Sequence, residues 1–233
     1  MLKNALWYSL PSTPGLRTNK SIGTIDYTPQ STSNNSVSIG NYLGEVANRS
    51  DISIFLAQFR SDATSSAQTF KVQTVNGATN RQSPDNSTEL KAQLGVEGDL
   101  DAETVLGITY PTPLTVYNTA GSPPFMNDTA TPTDTNEPYL EWLNFMLNQT
   151  TLPNVISNSY GDDEQTVPLS YATAVCRGFA QLGARGATVL FASGDQGVGT
   201  SGKCFKNDGT NSSTFLPGFP ASCVRISCVL RLA

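Results

Sequence analysis

The chain has 233 residues, a formal net charge of −5 and a sequence pI near 4.7, and only 14% of its residues are charged. This length suits one sizeable α/β domain, the acidic balance argues against a nucleic-acid partner, and no apolar run is long enough to span a bilayer. Histidine is absent, which excludes a Ser-His-Asp or Cys-His catalytic group and the usual His-containing zinc sites. A hydrolase built from this chain must therefore use carboxylates for proton transfer.

The first half of the chain alternates predicted strands and helices. Hydrophobic residues recur with period two in the strands and at helical spacing in the helices. Two glycines weaken the last of these helices. In chain order, the sequence predicts a strand over 37–43, a helix capped by Asp51, a strand over 70–75, a loop over 77–89 and a helix over 90–108.

The second half predicts a strand–helix–strand unit after a long loop. In such units the crossover is nearly always right-handed, and ligands bind beyond the carboxyl ends of the strands. Two loops fall at that edge, over 159–168 and 193–199, and any site should lie there. The predicted elements are a loop over 111–136, a helix over 138–147, a strand over 155–160, a helix over 170–186 and a strand over 188–192.

Two acids on the last helix of the first half face the same way. Glu97 and Asp101 are four residues apart, which is about 6 Å along a helix and slightly more than one turn. An arbitrary pair at this spacing is usually two solvated acids. However, like charges here destabilise a helix, and the flanking Gly95 and Gly98 indicate close packing or functional strain. Asp99 points away on a regular helix, where it either raises the proton affinity of the pair or is merely exposed.

Asp195 is the third acid of interest. It follows an apolar strand and the dipeptide Ser193-Gly194 directly, so its side chain should stand at the mouth of the cleft. An ordinary turn aspartate is the alternative interpretation, because Asp beside Gly is common in turns.

Four segments in order resemble those of the sedolisins, the serine-carboxyl peptidases that include fungal and animal tripeptidyl peptidases. The resemblance covers nearly everything from Leu2 to Cys223, and the opening LKNALWYSLPSTPG is similar to the start of that catalytic domain after its pro-segment is removed. The missing histidine fits, because this family uses glutamate as its base. The four segments are GVEGDLDAE (95–103), NSYGDDE (158–164), GARGATVLFASGDQGVG (183–199) and FLPGFPASC (215–223).

The resemblance implies an α/β, subtilisin-like three-layer fold with a mainly parallel sheet flanked by helices. It implies that Glu97 is the general base for a serine, that Asp101 orients Glu97 and shares a proton with it, and that Asp195 stabilises the oxyanion. Asp195 can donate a hydrogen bond only while protonated, so activity is expected at acidic pH. The family pattern E-A-N-L-D reads E-G-D-L-D here. The residues implied to line the substrate cleft, partly through extended backbone, are Ser159, Tyr160, Gly161 and Asp162.

The resemblance also implies parts that this sequence does not contain. Gly199-Thr200-Ser201 mimics a subtilisin-like nucleophile, but it is followed by Gly202-Lys203-Cys204 rather than small apolar residues and shares a loop with Asp195. We therefore expect residues 1–223 to be a C-terminally incomplete peptidase domain lacking its nucleophilic serine. Residues 224–233 are expected to be an aberrant tail. The calcium ion of the family enzymes is expected to bind to ligands outside this chain, and we predict no metal site within it.

Seven Asn-x-Ser/Thr sequons favour a secreted glycoprotein whose signal peptide and pro-segment precede this chain. Cys204 and Cys223 are expected to close a loop of roughly 20 residues, a bridge worth about 3 kcal/mol. Cys176 lies in a helix and is either buried or paired elsewhere. The sequons begin at Asn19, Asn34, Asn48, Asn86, Asn127, Asn148 and Asn211.

The partners expected are a peptide or protein substrate and the protein's own pro-segment, with neither nucleic acid nor membrane. The main hypothesis is an acid tripeptidyl or endopeptidase, catalytically incomplete in this chain. The alternatives are a secreted non-catalytic module that binds peptides in the same cleft, and an unstable fragment without a function. Turnover of a peptide at pH 4 separates the first hypothesis from the others.

Overall fold

The computed structural model describes residues 29–30, 34–83, 86–195, 203–224 and 227–229, the last of these by their backbone. Asn19, Ser201 and the opening segment of the resemblance lie outside the described residues. The helices are α1 (Arg49–Phe59), α2 (Ser66–Thr69), α3 (Ser87–Ala92), α4 (Val96–Thr109), α5 (Tyr139–Leu147) and α6 (Leu169–Ala184). The strands are β1 (Val37–Asn41), β2 (Lys71–Val75), β3 (Leu114–Thr119), β4 (Val155–Asn158), β5 (Asp162–Asp163), β6 (Thr188–Ala192), β7 (Gly218–Phe219) and β8 (Ser227–Val229).

Six strands form one sheet in the order β2-β3-β1-β4-β6-β8, and every neighbouring pair in it is parallel. The predicted strand–helix–strand unit is present as β4–α6–β6. Strands β5 and β7 form a separate antiparallel pair, with Asp162 opposite Phe219. The α/β class with a mainly parallel sheet flanked by helices is therefore confirmed.

Helices cover both faces of the sheet, which gives three layers. Successive residues of a strand point to opposite faces, and β3 shows this directly: Val116 packs into one hydrophobic cluster and Tyr117 into the other. One cluster joins the sheet to α1 and α4 through Ile39, Ile52, Leu56, Ala102 and Leu106. The other joins it to α5 and α6 through Trp142, Leu143, Ile156, Phe179 and Phe191.

The helix predicted over 90–108 is two helices, and this prediction was wrong. Helix α3 ends at Gln93, which has a left-handed backbone (φ 57°), and Gly95 precedes α4 with φ 87°. Glycine adopts positive φ values without steric cost. Gly95 therefore lies at the break between two helices rather than inside one helix. The break starts α4 one residue before Glu97.

Two further predictions in the first half need correction. Asn48, rather than Asp51, caps α1, because its side chain accepts a hydrogen bond from the Ser50 backbone N–H. The loop predicted over 111–136 contains β3, an internal strand between β2 and β1. Its threonine-rich sequence follows Pro111 and Pro113 and therefore resembles a loop, but strand pairing on both sides stabilises it as part of the sheet.

The disulfide joins Cys176 to Cys223, so the predicted pairing of Cys204 with Cys223 is wrong. Cys176 lies in α6, and its Cα atom is 5.4 Å from that of Cys223, which is an ordinary distance for a bridge. The two residues are 47 positions apart. Closing a loop of this length stabilises the fold by about 4 kcal/mol in the chain-entropy model.

Part of the chain beyond Val224 belongs to the sheet. Residues 227–229 form β8, which pairs in parallel with β6. Whether residues 224–233 are an aberrant tail stays a prediction. Across the described part of the chain, no helix combines the length and the apolar character of a membrane span.

Candidate active site

Three of the predicted functional residues meet at the carboxyl edge of the sheet. Glu97 lies in the first turn of α4, and Asp101 lies one turn further on the same face. Ser159 follows β4 immediately, and β4 lies next to β1 and β6 in the sheet. This is the edge at which ligands bind in parallel sheets.

A serine hydroxyl links the end of β4 to this helix. Ser159 Oγ donates a hydrogen bond to Asp101 Oδ1 over 2.7 Å. The other oxygen of this carboxyl, Oδ2, is buried and receives no hydrogen bond from any described donor. Asp101 also hydrogen-bonds with the side chain of Glu97, which requires a proton on one of the two carboxyls. The geometry favours a pair that shares one proton.

Burial is the main reason why both carboxyls hold protons more tightly than usual. It raises the pKa of Glu97 to about 7, and the negative charges of Asp101 and Asp195 add to this rise. It raises the pKa of Asp101 to about 6, while hydrogen bonds with Ser159 and Glu97 oppose the rise. The pair is therefore tuned for proton exchange in the mildly acidic to neutral range.

Asp195 lies three residues beyond β6, the strand next to β4, and its side chain is exposed. It is near enough for its charge to raise the pKa of Glu97. The sheet thus brings the third predicted acid to the same edge as the first two, although its part in oxyanion stabilisation stays a prediction.

Glu45 is a functional residue that the sequence analysis missed. Its two carboxylate oxygens accept hydrogen bonds from the backbone N–H groups of Gly95 (3.0 Å) and Gly98 (3.3 Å), so it caps α4 from the loop after β1. An acid at a helix N-terminus is stabilised by the helix dipole. Its charge also raises the pKa of Glu97. The only sequence signal was an acid just beyond the end of a predicted strand.

Gly98 allows α4 to approach the loop after β1 closely. A Cβ atom at this position would lie 2.6 Å from the carbonyl oxygen of Val46, closer than real Cβ atoms come to backbone. The prediction that glycine beside the acid pair marks close packing is therefore confirmed at Gly98. This contact fixes the height of Glu97 and Asp101 above the sheet.

Asp99 points away from the pair, as expected on a regular helix, but it is buried rather than exposed. Its Oδ1 atom accepts a hydrogen bond from the backbone N–H of Asn48. Glu103, one turn further on this face, is 2% exposed, and burial together with the charge of Asp99 raises its pKa to about 8. Helix α4 therefore carries two acid pairs, one on each face.

The side chains of Tyr160 and Asp162 point into the core, which differs from the lining role expected of them. The Tyr160 ring packs edge-on against Tyr42, with 5.2 Å between ring centroids. Its hydroxyl is buried without a hydrogen-bond partner among the described residues. Gly161 is exposed and lies near the carbonyl of Phe219. Of the four residues expected to line the cleft, only Gly161 is exposed.

Asp162 forms a third carboxyl pair, with Glu137, in the interior of the protein. Both side chains are buried, and Glu137 Oε2 accepts a hydrogen bond from the Tyr139 hydroxyl over 2.9 Å. Burial and the charge of Glu137 raise the pKa of Asp162, which stays protonated and hydrogen-bonds with Glu137. The predicted loop before α5 gave no sign of this partner.

Relatives with named activities match most of this chain. It is 41% identical over 209 residues to the tripeptidyl-peptidase sed4 of Aspergillus fumigatus, a match that covers 88% of this chain and 33% of that protein. It is 38% identical over 227 residues to the tripeptidyl-peptidase SED2 of Arthroderma otae, which covers 95% of this chain and 36% of that protein. The chain therefore spans about a third of the length of the curated relatives it matches.

No protein-family model matches the chain. The relatives nevertheless agree with the resemblance that the motifs carry, since tripeptidyl-peptidases of this group are sedolisins. Over the third of their length that it spans, this chain is a homologue of the sedolisin-family tripeptidyl-peptidases.

Proposed function

We propose that this chain supplies the acid–base and oxyanion residues of a serine-carboxyl peptidase that acts on peptides at acidic pH. The observation that supports this most strongly is the half-buried pair of Glu97 and Asp101, linked to the sheet edge by Ser159. A surface pair of acids would not be desolvated in this way. The nucleophilic serine is proposed to lie outside these 233 residues, which makes this chain inactive by itself.

The proposed mechanism follows from the proton shared by the pair. Glu97 accepts the proton of the serine hydroxyl as its oxygen attacks the peptide carbonyl, and Asp101 keeps Glu97 oriented. Protonated Asp195 donates a hydrogen bond to the developing oxyanion. Glu97 then gives its proton to the leaving amine. In the second half of the reaction, water attacks the acyl group, Glu97 accepts a proton from this water, and the same proton returns to the serine oxygen as the acyl group leaves.

A chimera tests this proposal. In it, this chain replaces the matching third of the Aspergillus fumigatus relative, and the substrate is a tripeptide with a fluorogenic amide leaving group. We expect turnover at mildly acidic pH, between about 5 and 7, by the chimera and none by the 233-residue chain, because Glu97 must be ionised to accept the serine proton. A peptide with a blocked N-terminus separates the two proposed activities, because only an endopeptidase cleaves it.

Two variants of the chimera decide the outcome. Glu97→Ala should abolish turnover, while Asp62→Asn, which removes an exposed surface charge paired with Arg60, should leave it unchanged. Full turnover by Glu97→Ala overturns the proposed base. Turnover by the 233-residue chain overturns the proposed position of the nucleophile. Binding of the peptide without turnover by the chimera would support the non-catalytic alternative instead.

We also propose that the protein is secreted and glycosylated. Of the sequons in the described residues, Asn48 is buried at the cap of α1, so it is a poor acceptor in the folded protein. The other five are exposed: Asn34, Asn86, Asn127, Asn148 and Asn211. Expression through a eukaryotic secretory pathway should give a mass that falls on endoglycosidase treatment. An unchanged mass would contradict this proposal.

The calcium ion and the pro-segment remain proposals for the rest of the protein. Within the described residues, no group of three or more acidic or cysteine side chains gathers in a way that could hold a metal ion.

A further inference from the structure

Ser159 carries an interaction that a backbone role in substrate binding does not require. Its hydroxyl donates to Asp101 Oδ1 over 2.7 Å, across 58 positions of sequence. The same hydroxyl lies close enough to Glu97 to lower the pKa of that carboxyl. One side chain at the end of β4 is thus hydrogen-bonded to Asp101 and lies near Glu97 on α4.

We propose that Ser159 is a positioning residue, whose hydroxyl holds the carboxyls of Glu97 and Asp101 in the arrangement that shares one proton. This inference rests on the proposed function, because it concerns the same pair of acids. It goes beyond that function by giving a role to a side chain outside the three acids.

The surroundings of the pair explain why a neutral donor is needed there. Glu45 approaches Glu97 from the loop after β1, Asp195 from the loop after β6, and Asp101 from the next turn of α4, and each of these charges favours the protonated state. The hydroxyl of Tyr160, beside Ser159, is buried near the same acids. Ser159 opposes these acids by donating its hydroxyl proton to Asp101, which stabilises the ionised form of that carboxyl.

The location of Ser159 also allows this hydrogen bond to position Asp101 relative to the sheet. Ser159 is the first residue after β4, which is paired on both sides by β1 and β6. A donor fixed to an internal strand keeps its position while side chains on the helix rotate. The hydroxyl therefore sets both the distance and the orientation of Asp101 relative to the sheet.

The test is a carboxyl-carbon NMR titration of the 233-residue chain, which needs no catalytic activity. Removing the hydroxyl in Ser159→Ala should raise the apparent pKa values of the Glu97–Asp101 pair, with the larger rise, about one unit, at Asp101, because the ionised Asp101 carboxylate loses its donor. Ser159→Thr, which keeps a hydroxyl, should restore both values to within a few tenths of a unit. Ser157→Ala, two residues earlier on β4, is the matched control and should change neither value.

If Ser159→Ala does not fold, Ser159→Cys takes its place in the test. A thiol is a weaker donor of nearly the same shape, so it should give a shift between those of serine and alanine. Unchanged pKa values in the folded alanine variant, or in the cysteine variant where alanine does not fold, overturn the proposed role. An equal shift in the alanine and threonine variants also overturns it, since the hydroxyl would then not be the cause.

The titration separates failure of this inference from failure of the proposed function. Ordinary pKa values for Glu97 and Asp101 in the unsubstituted chain would show that the two carboxyls share no proton, which would overturn the peptidase proposal. Raised values that do not respond to Ser159→Ala would remove only the role of Ser159. Peptide turnover by the 233-residue chain that is lost in Ser159→Ala would make Ser159 a nucleophile and overturn the positioning role.

Discussion

Helix α4 presents two acid pairs with the same spacing on different faces. On the cleft face, Glu97 and Asp101 are partly accessible, and Asp101 accepts a hydrogen bond from the Ser159 hydroxyl. On the core face, Asp99 and Glu103 are buried, and Asp99 accepts a backbone hydrogen bond from Asn48. Spacing alone therefore does not define a site. The difference lies in access from the cleft and in the donors that each face meets.

The largest expected difference between the two faces is in catalysis. In the chimera, Glu97→Gln should lower kcat at acidic pH by about 10³-fold, because an amide cannot accept the serine proton. Glu103→Gln makes the same change on the core face of the helix and should leave kcat within about threefold. The measurement is initial rates with the fluorogenic tripeptide substrate. Equal losses in the two variants would break the distinction between the faces.

The next largest effect concerns the packing that holds both pairs in place. Gly98→Ala should lower the free energy of unfolding by about 2–3 kcal/mol, because the new Cβ atom collides with the Val46 backbone. Gly183→Ala in α6 is the matched control, since a Cβ atom there meets nothing within 4 Å. That control should stabilise the fold by about 0.5–1 kcal/mol through helix propensity. Urea unfolding measures both, and a neutral Gly98→Ala would contradict the close approach.

The core-face pair should appear in the pH dependence of stability. The pKa of Glu103 is raised from its usual value near 4.5 to about 8 in the folded chain, so the folded state binds more protons in this window. Stability is therefore greatest below the unfolded value and falls as the pH rises towards 8.

Glu103→Gln removes this proton, so the slope between pH 5 and 7 should flatten by up to about 1.4 kcal/mol per pH unit. Urea unfolding at pH 5, 6 and 7 measures the slope. A slope that is the same in both proteins would show that Glu103 titrates normally, and the two faces would then differ less than their burial indicates.

The smallest expected effect concerns the pKa of Glu97 on the cleft face of α4. Glu45→Gln removes one negative charge near Glu97, so the pKa of Glu97 should fall by a few tenths of a unit. The carboxyl-carbon titration measures this, with Glu103→Gln as a control that leaves Glu97 unchanged. A rise in the pKa of Glu97 would mean that the hydrogen bonds by which Glu45 caps α4, rather than the charge of Glu45, determine this pKa.

The sequence was sufficient to predict the parts of the site that depend on local geometry. Glu97 and Asp101 share a face because four residues make slightly more than one helical turn. Ser159 and Asp195 reach the same edge because β4 and β6 are neighbouring parallel strands, as the strand–helix–strand pattern indicated. These inferences need only the period of a helix and the direction of a strand.

The incorrect predictions depended on contacts between distant parts of the chain. The sequence of β3 resembles a loop after two prolines, and its neighbours β1 and β2 decide otherwise. The partner of Cys223 depends on how α6 packs. The sequence left the role of Asp99 open, because its burial depends on a hydrogen bond from Asn48, 51 positions earlier. Each of these requires the three-dimensional arrangement rather than a local pattern.

The bridge between Cys176 and Cys223 has a consequence for proteolytic cleavage of this chain. It encloses β6, Asp195 and β7 within one covalent ring. A single cleavage anywhere inside this ring leaves two pieces that remain joined, so Asp195 stays tethered to the piece that carries Glu97 and Asp101. A nicked molecule should therefore run as one species until a thiol is added, and then as two.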